Sequence, residues 1–340
     1  MSEQNSATAQ RSVAVTGTVQ AALGSLCFSF TFPATRWALD GFGPWTLTGL
    51  RGTLAALLAA ACLLAAGART PPRSAWPGLA AVAAGCVIGF PMFSTLALQT
   101  SSTAHSAVVI GLLPLGTAAA AALRSGSRPP RPFWLAALAG AAVVLAFTVQ
   151  QSHGAVFTTA DLYLFAGLLI CVLGYAEGGR LARTMPGWQV IAWGLVAALP
   201  VMAATAAFGP TVESVHWTWR GVTGLGYLGV VSQFAGYVVW YRGMAAIGIP
   251  RASQLQLAQP LVTICWAVLL LAEPLPAAAV PTALAVVACI VVTQRTGGGP
   301  RSGAGRRAPA PETGQIRDLR TECQAAPASA RVERGSERCS

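Results

Sequence analysis

Between Val13 and Val292 the chain is a succession of ten apolar runs, each near 20 residues long and each closed by arginine, proline or glycine. A run of that length matches the hydrocarbon thickness of a bilayer when helical. Only 10% of the 340 residues are charged and the mean hydropathy is +0.58, against about 25% charged residues in a soluble domain. So few charges cannot cover a water-facing surface, and the chain is expected to be an all-α integral membrane protein. Its formal charge of +11 would suggest a nucleic-acid partner if it were clustered on a soluble face. It is not: there is no lysine, and most of the arginines sit between the apolar runs or near the C-terminus. That is the distribution of membrane-topology charge, so no nucleic acid is expected.

The runs predict spans over residues 13–32, 44–66, 76–98, 104–123, 132–149, 161–181, 188–208, 222–241, 250–274 and 277–292. The joints after the even-numbered spans hold Arg69 and Arg73; Arg124, Arg128 and Arg131; Arg180 and Arg183; and Arg242 and Arg251. The joints after the odd-numbered spans hold only Arg36 and Arg220, with the acids Asp40, Asp161, Glu213 and Glu273. The positive-inside rule then places both termini in the cytoplasm. Residues 1–12 read as a short polar cytoplasmic lead without a cleaved signal. Residues 295–340, rich in Gly, Pro, Ala and Arg, read as a disordered cytoplasmic tail. Six of the eight cysteines lie inside apolar runs with no CxxC spacing, so neither a metal site nor a disulfide framework is expected.

The ninth run departs from plain hydrophobicity. Ser253, Gln256, Gln259 and Thr263 fall on one helical face, with Pro260 among them. Amides on a membrane helix face protein or a water-filled cavity rather than lipid. Shifting the chain by 146 lays Ser106–Thr117 on Ala252–Thr263, and Pro114 meets Pro260. The chain therefore divides into two five-span halves, residues 13–151 and 161–294. An odd number of spans per half makes the halves inverted repeats. Many secondary transporters are built this way, with the substrate site at the repeat interface beside matched helix breaks. Pro114 and Pro260 are the expected breaks.

Three stretches carry a family likeness. They are the second-span run TGLRGTLAAL with Arg51, the fourth-span run SAVVIGLLPLGTA, and the ninth-span run ASQLQLAQPLVTICWAVLLLAEPL. With the five-plus-five arrangement, the chain resembles the EamA-type family of the drug/metabolite transporter superfamily. Where that family closes the ninth span with Leu-Gly-Glu, this chain has Leu271, Ala272 and Glu273; where it often has lysine near the end of the first span, this chain has Arg36. The resemblance implies a ten-helix carrier that exports or exchanges small metabolites by alternating access. It also implies a cavity lined by spans one, three, four, six, eight and nine.

The expected substrate contacts are Gln256, Gln259 and Thr263, with Gln233 and Tyr237 of the eighth span and Ser25 and Ser29 of the first. Trp240 and Tyr241 are expected in the interfacial aromatic belt. Arg51 is expected to brace helix ends against Asp40 or a loop carbonyl, and Glu273 to close its helix as a structural charge. Glu177, three residues before Arg180, is weighed as a coupling carboxylate against an interfacial ion pair. No nucleophile–base constellation, metal cluster or phosphate loop is present in the sequence, so neither an enzyme nor a cofactor is expected. The expected activity is secondary transport of a small neutral or zwitterionic metabolite, an amino acid or drug-like compound, by a multi-pass plasma-membrane exporter. The partners are then the small-molecule substrate and the lipid bilayer, with a homodimer admissible. The alternative is a membrane scaffold or sensor that transports nothing.

Overall fold

The computed structural model describes residues 2–124, 130–151, 157–247, 255–256 and 258–297. Ser253 and the expected tail beyond Gly297 lie outside them. Seven helices among these residues are long and apolar enough to cross a membrane, namely Val15–Leu39, Pro44–Ala65, Arg73–Ala97, Arg131–Gln150, Thr159–Leu181, Gly187–Val212 and Trp219–Gly243. Three shorter apolar helices, Thr103–Thr117, Gln259–Leu271 and Ala279–Val292, stand where the fourth, ninth and tenth spans are expected. The first helix starts at Ser2 rather than after the polar lead. Residues 2–12 contain neither glycine nor proline, so nothing in them stops a helix.

The short helices reflect the matched prolines. With each segment keeping the number of its expected span, the fourth is two helices, Thr103–Ile110 and Leu113–Arg124, joined by a turn at Gly111–Leu112. Pro114 falls in the first turn of the second helix, where a missing N–H has no intrahelical partner to lose. Pro260 holds the same place in Gln259–Leu271. Each proline therefore opens a helix rather than kinking one. The two breaks adjoin: a methyl group on Gly111 would lie 3.2 Å from Cγ of Pro260.

Two further irregularities match. The third span is π-helical over Ala83–Gly89 and the eighth over Tyr227–Ala235. The segments begin 144 residues apart and end 146 apart, within two residues of the offset of the prolines. The helix widens by one residue per turn in such segments, which re-aims the side chains they carry.

Glycines set the closest helix contacts. Gly49 lies against Ala206, Gly52 against Met202, and Gly209 against Thr46. As the second span rises from 46 to 52, its partner falls from 209 to 202, so spans two and seven run antiparallel. Spans four and nine do the same, with Thr103 beside Glu273 and Gly111 beside Pro260. Span one packs on eight, span three on six and span five on ten. A five-span shift exchanges the first two of these pairs and maps five–ten, two–seven and four–nine onto themselves. Leu57, Leu64, Leu135, Leu169 and Leu269 are exposed, which suits a surface that meets lipid tails.

Candidate functional site

The four irregular segments enclose one cavity. Phe28, Thr31 and Phe32 of the first span line it, with Arg51 of the second, Cys86 and Phe90 of the third, and Ile110, Gly111 and Pro114 of the fourth. Tyr175 comes from the sixth span, Ser232, Gln233 and Tyr237 from the eighth, and Gln256, Gln259, Pro260 and Thr263 from the ninth. About 60 Å³ is open to the centres of water molecules. One water needs about 10–15 Å³ by that measure, so the space holds a small cluster. The lining set contains no aspartate or glutamate. A wider cavity of about 1040 Å³ lies among the joints after the odd-numbered spans, bordered by Arg36, Asp40, Glu213, His216, Arg220 and Glu273.

The cavity wall is tied together by polar bonds between spans. Nη2 of Arg51 donates to Oε1 of Gln233 at 2.7 Å, and Nε2 of Gln233 donates to the Cys86 carbonyl at 3.1 Å. Both acceptors belong to residues of the π-helical segments. Arg51 is only 3% exposed, and its Nε and Nη1 have no hydrogen-bond partner among the described residues. Thr31 and Ser232 share a hydroxyl bond at 2.8 Å, joining the first and eighth spans. The Tyr175 and Tyr237 hydroxyls lie 3.3 Å apart, and the Tyr237 ring packs on Phe28 with centroids 4.8 Å apart.

Gln256, Gln259, Thr263, Gln233 and Tyr237 thus meet in one cavity, as do the breaks at Pro114 and Pro260. The Thr263 hydroxyl is already committed, donating to the carbonyls of Ser29 and Gln259 at 2.8 and 2.9 Å. Ser25 and Ser29 are not among the lining residues. Ser29 Oγ donates to the Leu26 carbonyl at 2.7 Å and accepts from Nε1 of Trp266 at 3.1 Å, while Ser25 Oγ reaches the Leu255 carbonyl at 3.4 Å. Those serines fasten span one to span nine, and Phe28, Thr31 and Phe32 face the cavity in their stead.

Other expected positions also move. Trp240 and Tyr241 are 4% and 5% exposed rather than in an interfacial belt: Gly24 lets span one close on the Trp240 backbone, and Gly187 leaves room for the Tyr241 ring. Asp40 lies 3.8 Å from Arg220 and not beside Arg51. Glu177 pairs with Arg180 at 2.8 Å outside the cavity lining. Glu273 accepts from Thr103 N and Oγ1 at 2.8 and 2.7 Å, capping the fourth span from the end of the ninth, and it lies 4.0 Å from Arg36. Sequence reasoning missed Tyr175, Thr31 and Ser232, which carry no marker beyond their polarity. It also missed a buried pair at 2.7 Å between His105 and Asp161, which joins the fourth and sixth spans.

Long apolar helices around a buried polar cavity define a multi-pass membrane protein, and matched helix interruptions at that cavity are the construction of a transporter. The chain belongs to the EamA-like transporter family, whose model matches residues 15–149 and again residues 158–294. It is 40% identical over 282 residues to the uncharacterized transporter YdeK of Bacillus subtilis (strain 168), covering 82% of this chain and 97% of that one. It is 27% identical over 293 residues to a probable terminal-alkyne amino-acid exporter of Streptantibioticus cattleyicolor (strain ATCC 35852 / DSM 46488 / JCM 4925 / NBRC 14057 / NRRL 8057), covering 81% and 93% of the two chains. A protein of solved crystal structure shares the fold, with a TM-score of 0.57 and 22% identity over 81% of this chain and 95% of its own. The family and both named relatives are transporters rather than enzymes.

Proposed function

We propose that the chain is a secondary transporter of ten spans, with both termini in the cytoplasm of a plasma-membrane exporter. Its two inverted halves, residues 13–151 and 161–294, carry a small neutral or zwitterionic metabolite by alternating access. The observation that carries this reading is the cavity itself: its lining includes Pro114 and Pro260, the matched breaks of the two halves, and three glutamines. The inversion is supported by the antiparallel packing of spans two and seven, and of four and nine, which are equivalent under the repeat. The lining offers amides, hydroxyls and aromatic rings with one guanidinium and no carboxylate, a composition suited to a compact solute of little net charge. The naming of one relative as an amino-acid exporter supports amino acids within that class.

The test is accessibility. Single cysteines at Gln256 and Gln259, in a background stripped of native thiols, should react with a water-soluble thiol reagent from one side of the membrane or the other. A transported solute should protect them. If neither cysteine reacts from either side, there is no aqueous route to the cavity and the carrier reading fails. Normal accessibility without flux of any solute across a broad metabolite panel would favour the non-transporting sensor.

A further inference from the structure

The geometry points to Arg51 as the anchor for a substrate carboxylate, which makes the transported class amino acids or similar small monocarboxylates. The inference rests on the cavity being the transport site. A guanidinium has five N–H donors. In Arg51 one of the nitrogens, Nη2, is held by Gln233, whose own amide is fixed by the Cys86 carbonyl. That bond sets the plane and the direction of the fork. Nε and Nη1 have no partner among the described residues, although the side chain is 97% buried.

Burying an unpaired charge at membrane depth costs several kcal/mol. Snorkelling to an interface would relieve that cost, but Gly49 and Gly52 hold this turn of span two against span seven. No acid in the cavity lining neutralises the charge. The remaining acids within or beside the spans are engaged elsewhere: Asp40 with Arg220, Glu177 with Arg180, Asp161 with His105, Glu213 with the start of span two, and Glu273 with the start of span four. Nε and Nη1 do not form a parallel pair with each other, but each forms one with an N–H of Nη2, which keeps a second hydrogen besides the one that Gln233 accepts. One planar anion can therefore take Nη2 together with either free nitrogen. A carboxylate does so bidentately. A single guanidinium balances one negative charge, which disfavours phosphate dianions. The side-chain oxygens of Gln256 and Gln259 can accept from an α-ammonium group, and Phe28, Phe32 and Tyr237 offer an apolar wall for a substrate side chain.

The experiment uses the full chain in detergent and in proteoliposomes, with leucine and phenylalanine set against leucinamide and phenylalaninamide, which lack the carboxylate. In wild-type protein the acids should raise the thermal midpoint and compete for uptake about tenfold or more better than the amides, the discrimination typical of a site built around one strong polar contact. Gln233→Glu places an internal carboxylate on Arg51. It gives up the Gln233 donation to the Cys86 carbonyl but pairs the guanidinium, so it should keep a folded midpoint close to wild type without ligand while abolishing the shift by the acids. Arg51→Lys should bind the acids more weakly, because an ammonium cannot offer the fork. If acids and amides act equally on wild type, or if Gln233→Glu still takes acids as wild type does, the anchor is refuted while the carrier reading stands. If the acids bind selectively but never cross the bilayer, the carrier reading is refuted and the anchor stands. If neither acid shifts the midpoint, the assignment of the site to amino-acid carboxylates is overturned.

Discussion

Gly49→Ala tests the packing of span two on span seven most sharply. A methyl group at Gly49 would lie 2.2 Å from the Ala206 nitrogen and 2.6 Å from its Cα. Ordinary contact begins near 3.4 Å, so one helix must retreat by 3.4 − 2.2, or about 1.2 Å. The obstacle is backbone on both sides, and no rotamer change relieves it. Overpacking of this kind costs about 1–3 kcal/mol, and a shift of that size belongs at the upper end. The better helix propensity of alanine returns no more than about 1 kcal/mol, leaving a net loss near 2 kcal/mol. The thermal midpoint in detergent should then fall by about 3–4 °C. The retreat would also carry Arg51, two residues on, away from the Gln233 oxygen that it meets at 2.7 Å. Gly179→Ala is the control, because nothing lies within 4 Å of the added methyl. Gly52→Ala should fall between the two, since the atom it meets first is the flexible Met202 thioether at 2.4 Å. Thermal midpoints of the three variants decide the matter. A Gly49→Ala midpoint equal to wild type, or an equal fall in Gly179→Ala, would refute the reasoning.

Two further substitutions test the caps. Glu213 accepts from Trp45 N at 3.0 Å, from Thr46 N at 2.9 Å and from Thr46 Oγ1 at 2.9 Å, so its charge sits on the first turn of span two. Glu213→Gln should lower the thermal midpoint by the equivalent of about 1–2 kcal/mol, and a midpoint unchanged at low ionic strength would contradict that. Ala272 ends the ninth span in the left-handed region, with φ of 51°, where a non-glycine residue is strained by about 1–2 kcal/mol. Ala272→Gly should therefore stabilise the protein by roughly 0.5–1 kcal/mol once the looser unfolded chain is allowed for; a lower midpoint would show that the strain is not there.

Span positions could be read from the sequence because lipid demands long apolar runs, and no packing detail alters that demand. The polar face of the ninth span could be read for the same reason, since Gln256 and Gln259 have nowhere in lipid to go. What could not be read depends on how each helix is turned and how closely it meets its neighbours. The cost of Arg51 is plain in the sequence, but its direction is not. Gly49 and Gly52 fix the rotation of span two against span seven, and so send the guanidinium to Gln233 rather than to Asp40. Ser25 and Ser29 share a face with Phe28, yet their short hydroxyls find carbonyls and the Trp266 nitrogen before they reach the cavity. Trp240 and Tyr241 look interfacial by position and type. Glycines on spans one and seven, distant in sequence, bury them. The π-helical segments have no residue signature.

Irregular backbone at membrane depth is tolerated where it lines a cavity or lies within protein. The described residues contain four such interruptions at matched positions: the turn at Gly111–Leu112, the helix start at Gln259, and the π-helical segments of spans three and eight. Scattered through the bundle, each would need its own local explanation, since helix packing alone is met as well by regular helices. All four contribute to the lining of a single cavity. Each also exposes or re-aims the group that the cavity uses, as with Gln233, whose π-helical position lets it meet Arg51 and the Cys86 carbonyl at once. The repeat then explains why the interruptions come in pairs. These four recur as two pairs, and antiparallel packing of spans four and nine brings the two proline breaks together, whereas the break of span one at Phe30 has no counterpart in Thr159–Leu181.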